Sequence, residues 1–255
     1  MSHHIVEAQD LHFTYPDGTE VLRGISFRIT HGESVAIIGA NGAGKSTLLL
    51  QLNGYLTATS GIIRIGDSPL LRENLKQVRR AVGLVFQDPE DQLFMPTVFD
   101  DVAFGPLNMG LPADEVQNRT KSALETVGAW HLHDRPPYRL SGGEKRAVSI
   151  ATVLSMSPDI LVMDEPSSNL DPKSRRALID LLRSFTHTKI IATHDLDMVM
   201  DLCRRTLIIR EGRIIADGLT ADIMRDEELL ASSNLEKPLS LRPCPVCAEG
   251  RFRKT

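Results

Sequence analysis

The chain has 255 residues, of which 42% are hydrophobic and 24% charged, with a net charge of −4. This is the composition of a globular protein large enough to bury a core, as one large domain or a core with a subdomain, and its acidic balance excludes a basic nucleic-acid footprint. No apolar run is long enough to cross a bilayer, and three cysteines are too few for a disulfide framework, which points to a reducing, cytoplasmic compartment.

Met1 to Asp10 lacks the apolar stretch of a signal peptide. Ile5–Leu11 and Val21–Ile29 are β-rich, and Tyr15-Pro16-Asp17-Gly18 between them is a strong turn signal. Ile25, Phe27 and Ile29 alternate with polar residues, as in a sheet with one wet face. Tyr15 has two readings on these residues alone: it fills the turn, or it stacks on a flat base.

The apolar run Ser34–Ile38 predicts a buried strand, and Ser46–Leu52 predicts a helix. Between them lies Gly39-Ala40-Asn41-Gly42-Ala43-Gly44-Lys45-Ser46-Thr47, which fits the phosphate-binding pattern G-x-x-x-x-G-K-[ST] in its required strand–loop–helix context. Glycines remove the Cβ atoms that would block an anion, so backbone N–H groups turn inward on it, and the helix N-terminus adds its positive end. Lys45 would reach the β- and γ-phosphates, and the Ser46 hydroxyl would hold Mg²⁺.

Gly61–Ile65 and Ala81–Phe86 read as further strands. The second breaks at Gln87-Asp88-Pro89, which puts Gln87 at the carboxyl end of a buried strand, where α/β folds place ligands. From Glu90 to Ser157 the pattern turns helical. Val116, Thr120, Ala123, Leu124 and Val127 form an apolar stripe on a helix that starts near Pro112 and closes at Gly128. Leu140-Ser141-Gly142-Gly143-Glu144 then precedes a helix predicted over Lys145–Met156. Ser141 and Glu144 have the spacing of a capping box, but two glycines exceed what a cap needs and suggest a second close approach to a phosphate.

Ile160–Met163 is an apolar strand that ends in Asp164 and Glu165. Asp164 would serve the Mg²⁺ shell and Glu165 would polarise an attacking water; the plainer alternative is two exposed loop acids. Lys189–Ala192 is another buried strand, running into Thr193-His194-Asp195. Leu207–Arg210 and Arg213–Ile215 flank Glu211-Gly212 as a hairpin, Asp222–Leu230 is helical in pattern, and the composition turns polar and Pro-rich after Ser232.

Tyr15, Gly39–Thr47, Gln87, Leu140–Glu144, Ile160–Glu165, Ser168-Asn169-Leu170-Asp171 and His194 follow one another in the order of an ABC-transporter ATPase subunit. They resemble its A-loop, Walker A, Q-loop, signature, Walker B with catalytic glutamate, D-loop and H-loop, and the resemblance spans roughly residues 5 to 225. It implies an α/β, RecA-like P-loop NTPase core (1–88 and 156–230) with an N-terminal antiparallel β subdomain, an inserted α-helical signature subdomain (89–155) and a C-terminal tail (231–255). It also implies that Tyr15 stacks on adenine. Ser141, Gly142, Gly143 and Glu144 of one subunit would close over ATP held by the Walker A of another, so that two ATP are sandwiched in a dimer, expected to be a homodimer. Gln87 would contact Mg²⁺ or the attacking water, Asp171 would reach across the interface, and His194 would act on the γ-phosphate. Glu144 departs from the glutamine of many relatives.

Gln87–Phe94 with Thr97-Val98 and Asp101–Pro106 resembles the energy-coupling-factor branch of importers. Within it, Phe94–Val98 and Gly105–Asn108 are most similar to nickel and cobalt uptake ATPases. The resemblance implies a peripheral subunit on the cytoplasmic face of the plasma membrane, coupled through residues 87–106 to integral-membrane components, with ATP and Mg²⁺ as ligands and no nucleic acid. A vitamin importer of the same branch, a soluble ABC protein acting on ribosomes or DNA, and a P-loop kinase are the competing readings. In the tail, Cys244-Pro245-Val246-Cys247 is half a zinc site, a redox pair or part of a disordered segment.

Overall fold

The computed structural model describes residues 4–242. The first half contains β1 (His4–Thr14), β2 (Glu20–Thr30), β3 (Ser34–Ile38), α1 (Lys45–Leu52), β4 (Ser60–Ile65), β5 (Ser68–Pro69), α2 (Leu75–Ala81) and β6 (Val82–Val85). Helices α3 (Val98–Asn108), α4 (Ala113–Thr126) and α5 (Gly142–Leu154) follow without a strand between them. The chain then alternates through β7 (Ile160–Asp164), α6 (Pro172–Ser184), β8 (Thr188–Ala192), α7 (Leu196–Leu202), β9 (Arg205–Arg210), β10 (Arg213–Leu219), α8 (Thr220–Ile223) and α9 (Glu227–Ser232).

Among the described residues there are two sheets. One is antiparallel, in the order β2-β1-β4-β5; the other runs β10-β9-β3-β8-β7-β6. In the second sheet every neighbour is parallel except the β9–β10 hairpin. Its central strands are apolar on both faces, as strands covered on both sides must be. Val35 and Ile37 point into a core shared with α1 and the antiparallel sheet. Ala36 and Ile38 point the other way, into a core shared with α5, α6 and α7. The two-residue period of a strand thus splits one run between two cores. A third core, of Val98, Val102, Leu124, Leu132, Leu140 and Val148 among others, belongs to α3–α5.

This is the expected α/β core, with an antiparallel β subdomain and an inserted helical subdomain. The predicted stripe on α4 holds, with Val116, Thr120, Ala123 and Leu124 buried. Three boundaries differ. Ala81 belongs to α2, and β6 starts at Val82. Helix α5 begins at Gly142, because Ser141 and Glu144 do form a capping box. The single helix expected over 222–230 is two short ones, because the Asp226 carboxylate accepts from Leu229 N and starts a new helix there. The polar segment after Ser232 docks in part: Leu235 and Leu241 pack on the core, and the Leu239 and Ser240 amides donate to Asp197. Cys244 and Cys247 lie outside the described residues.

Leu124 is fully buried in the helical subdomain. Leu124→Ala leaves a cavity there and is expected to lower unfolding free energy by about 2–5 kcal/mol, measured by urea titration.

Candidate active site

Parallel pairing aligns the carboxyl ends of four strands. Ala192 on β8 is level with Ile37 on β3 and with Asp164 on β7. The ladder continues one step further: Glu165 N donates to Ala192 O at 2.8 Å and Thr193 N donates to Ile37 O at 3.2 Å. Gly39, Gln87, Glu165 and His194 therefore leave the sheet along one edge, at the crevice where open α/β sheets hold ligands.

Tyr15, Asn41, Gly42, Gly44, Lys45, Ser46 and Thr47 line one side of a cleft of about 500 Å³ there, and Gln87, Glu165 and His194 line the rest. Gly44 caps α1 at φ 107°, and a Cβ at this position would sit 2.9 Å from Leu22 Cδ2, so only glycine fits. Lys45 is buried, and its ammonium donates to Gly39 O at 2.8 Å and Ala40 O at 3.2 Å. Ala40 and Ala43 also line a shallow pocket behind the loop, with Arg210 and Asn234. Both local readings of Tyr15 are compatible with its placement. Its ring packs edge-on against Phe13 at 4.8 Å, and its hydroxyl hydrogen-bonds Thr47 Oγ1 at 3.1 Å on the cleft wall.

Behind this wall Asp164 is buried, and its Oδ1 has no hydrogen-bond partner. Burial pushes this carboxyl above the usual aspartate range; the Ser46 hydroxyl and the Lys45 and Arg146 charges pull it back. An orphaned buried carboxylate oxygen beside a serine hydroxyl is a fitting donor pair for a hard cation.

Glu165 is buried, with a left-handed φ of 44°, a conformation that non-glycine residues hold only where their surroundings enforce it. Here Glu165 Oε2 accepts from Thr193 Oγ1 at 3.0 Å and His194 N at 3.2 Å, and the His194 ring Nδ1 lies 2.8 Å from it. The His194 ring is exposed on the cleft floor. Asp195 beside it takes a bidentate pair from Arg175 of α6 at 2.5 and 2.7 Å.

Ser141, Gly142, Gly143 and Glu144 do not line this cleft. Gly142 faces a separate one of about 490 Å³ with Gln87, Asp88, Lys145 and Ser168–Leu170. Glu144 closes its capping box by accepting from Ser141 N at 2.7 Å, which holds its carboxyl below the usual glutamate range. The two glycines differ. A Cβ on Gly142 would meet nothing nearer than 3.9 Å, whereas one on Gly143 would strike Ser174 Oγ at 2.6 Å, so Gly143 also serves the packing of α5 on α6. Asp171 caps α6, accepting from Lys173 N, Ser174 N and the Ser174 hydroxyl, and these bonds lower its pKa.

The sequence model of the ABC transporter family matches residues 22–168. The chain belongs to the ABC transporter family. A putative ABC transporter ATP-binding protein of Geobacter sulfurreducens is 70% identical over 97% of this chain and 99% of its own length. The energy-coupling factor transporter ATP-binding protein EcfA of Methanocaldococcus jannaschii is 45% identical over 92% of this chain and 86% of its own. Among solved structures, cbiO1 of Clostridium perfringens, described as part of the complex cbiONQ, superposes with a TM-score of 0.80 at 40% identity, covering 91% of this chain and 95% of its own. The ATP-binding cassette MJ0796, a dimer in a post-hydrolysis state with ADP and Pi, superposes with a TM-score of 0.76 at 26% identity, covering 84% and 98%. This ABC protein is thus an ATP-binding ATPase subunit of a transporter. No helix among its described residues is long and apolar enough to cross a membrane.

Arg146 lies in none of the sequence motifs, and Gln92 lies within the Gln87–Phe94 segment without an expected role of its own. Arg146 Nη1 and Nη2 donate to Phe86 O at 2.8 Å and Gln87 O at 2.6 Å. Gln92 Nε2 donates to Ser149 O at 2.7 Å and Thr152 Oγ1 at 2.6 Å, and its Oε1 accepts from Phe86 N at 3.1 Å. The available signal for Arg146 is its spacing: it shares the buried α5 face of Ile150 and Val153.

Burial raises the Asp164 pKa, so folding loses stability as pH rises from the ordinary aspartate value, about 3.9, through the raised one. In EDTA without nucleotide, Asp164→Asn is expected to raise Tm at pH 7–8, with the gain shrinking as pH falls to 4 and below, where the Asp164 carboxyl takes up its proton in the folded and then in the unfolded chain. Thermal melts across pH measure it.

Proposed function

We propose that this chain is the ATPase subunit of an energy-coupling-factor importer. It dimerises head to tail around two ATP and drives uptake of a transition-metal cation, nickel or cobalt. The carrying observation is that the phosphate loop lines one cleft whereas Gly142, of the Ser141–Glu144 segment, lines another, which supports completion of the first by that segment of a second copy. The dimeric cassette with ADP and Pi supports that arrangement. The EcfA and cbiO1 likenesses support the branch, and the Phe94–Val98 and Gly105–Asn108 segments support the cargo. The likeness to EcfA fixes no cargo, so a vitamin importer of the same branch is the competing assignment.

In this reading Gly42, Gly44 and the N-terminus of α1 cradle the phosphates, Lys45 neutralises their charge, and Tyr15 stacks on adenine. Ser46 and Asp164 would hold Mg²⁺, with Gln87 contacting it or the attacking water; when bound, the ion would supply neutralisation of phosphate charge. Glu165 polarises the water, oriented by its bonds from Thr193 and His194, and His194 faces the γ-phosphate. Ser141, Gly142, Gly143 and Glu144, with Asp171, meet the second subunit.

A groove of about 760 Å³ between core and helical subdomain, lined by Leu75, Phe94, Phe104 and Met156, suits a segment of the membrane component. Phe94 and Phe104 stack edge-on at 5.1 Å and are both exposed. Apolar rings left in solvent beside a groove mark an interaction surface. The subunit then sits peripherally on the cytoplasmic face.

Glu165→Gln is expected to keep ATP binding, lose roughly 100-fold or more in kcat, and accumulate an ATP-bound dimer; wild-type turnover would refute the role. Lys45→Ala is expected to lose nucleotide binding in an equilibrium titration. Uptake by vesicles carrying the complex, with nickel, cobalt and vitamins compared, tests the cargo.

A further inference from the structure

Strand β6 ends at Val85, and the next residue leaves the sheet. Both backbone groups of Phe86 are then taken by side chains of the helical subdomain. Its N–H donates to Gln92, and its carbonyl accepts from Arg146. The Gln87 carbonyl accepts from the same guanidinium. Gln92 is in turn bonded to α5 at Ser149 and Thr152, and Lys145 of α5 pairs with Glu90. Residues 86–92 are therefore fastened along α5, the helix that the Ser141–Glu144 capping box begins.

Arg146 is the one fixed charge in this bracket that is almost wholly buried, at 3% exposure. Burial weakens its hold on its proton, and the Asp88 and Asp164 charges oppose that effect. A buried arginine is costly unless its fork is used, and two of its donors go to successive carbonyls. The Gln87 side chain stays exposed and lines both clefts, the one at the phosphate loop and the one at Gly142. The backbone that Arg146 grips is thus the backbone that aims Gln87.

We propose that Arg146 is the positioning residue that locks the Gln87 loop to the Ser141–Gly143 segment, so that the two move as one body. Docking of the signature segment on a second copy's nucleotide and the setting of Gln87 at this chain's own nucleotide then become a single event. The proposal rests on the head-to-tail dimer reading above. It also separates Arg146 from a plain staple: the lost function is coupling between two half-sites, not stability alone.

The test uses the full chain. Arg146→Gln is expected to lower kcat about 10- to 100-fold with KM for ATP unchanged. Arg146→Lys recovers part of the loss, because one ammonium reaches a carbonyl without the fork. In a Glu165→Gln parent, light scattering should show an ATP-dependent dimer that the added Arg146→Gln change abolishes. Unchanged kcat overturns the proposal, as does a loss in which KM rises and Tm falls in step and Lys restores nothing. If the Arg146→Gln chain does not fold, Arg146→Lys and Gln92→Leu carry the same measurements. A Glu165→Gln parent that stays monomeric in ATP overturns the dimer reading and the coupling with it. A parent and derivative that both dimerise overturn the coupling alone.

Discussion

Parallel strands held in register bring their last residues to a common edge, and most of what this chain can do follows from that constraint. The pairings Ile37–Ala192 and Ala192–Asp164 set three strand ends level. The backbone bonds of Glu165 and Thr193 extend that level past the strands. Residues separated by more than a hundred positions become walls of one cleft. The cost is borne by the sheet, whose strands must be apolar on both faces.

Charge within this cleft is managed by burial and by pairing, and the two acids at the end of β7 are treated differently. Asp164 is buried with an oxygen that has no hydrogen-bond partner and a raised pKa. Glu165 is buried with its oxygen accepting from a hydroxyl and an amide, with an imidazole beside it. Two adjacent acids thus acquire distinct electrostatic settings, because Asp164 ends the strand whereas Glu165 turns out of it with a left-handed φ of 44°.

The helical subdomain meets the core through an apolar seam, where Ile150 and Val153 of α5 share a buried cluster with Val85 and Met163, and through polar contacts beside it. Its own interior is a separate cluster, and its links to the strand end at Phe86 are the forks and amides of Arg146 and Gln92. Hydrogen bonds of this kind define direction, whereas apolar contacts only define proximity. An element joined in this way transmits position, which suits a subunit of an ABC transporter.

Much was legible in the amino-acid order. The Gly39–Thr47 loop, the strands at 34–38 and 160–164, the α4 stripe and the alternation of β2 depend on local period and on glycine, so the sequence carries them. Tyr15, Gln87, Glu165 and His194 were legible as candidates because each sits at a turn or a strand end. What tertiary structure alone decided was adjacency. The bonds from Thr193 and His194 to Glu165, the orphaned oxygen of Asp164, and the grip of Arg146 on the Phe86 and Gln87 carbonyls join residues 28 to 60 positions apart or arise from burial. No local period encodes these. The break at Asp226 and the docking of Leu235 and Leu241 were likewise set by competition from a side-chain cap and by a core surface that sequence period does not reveal.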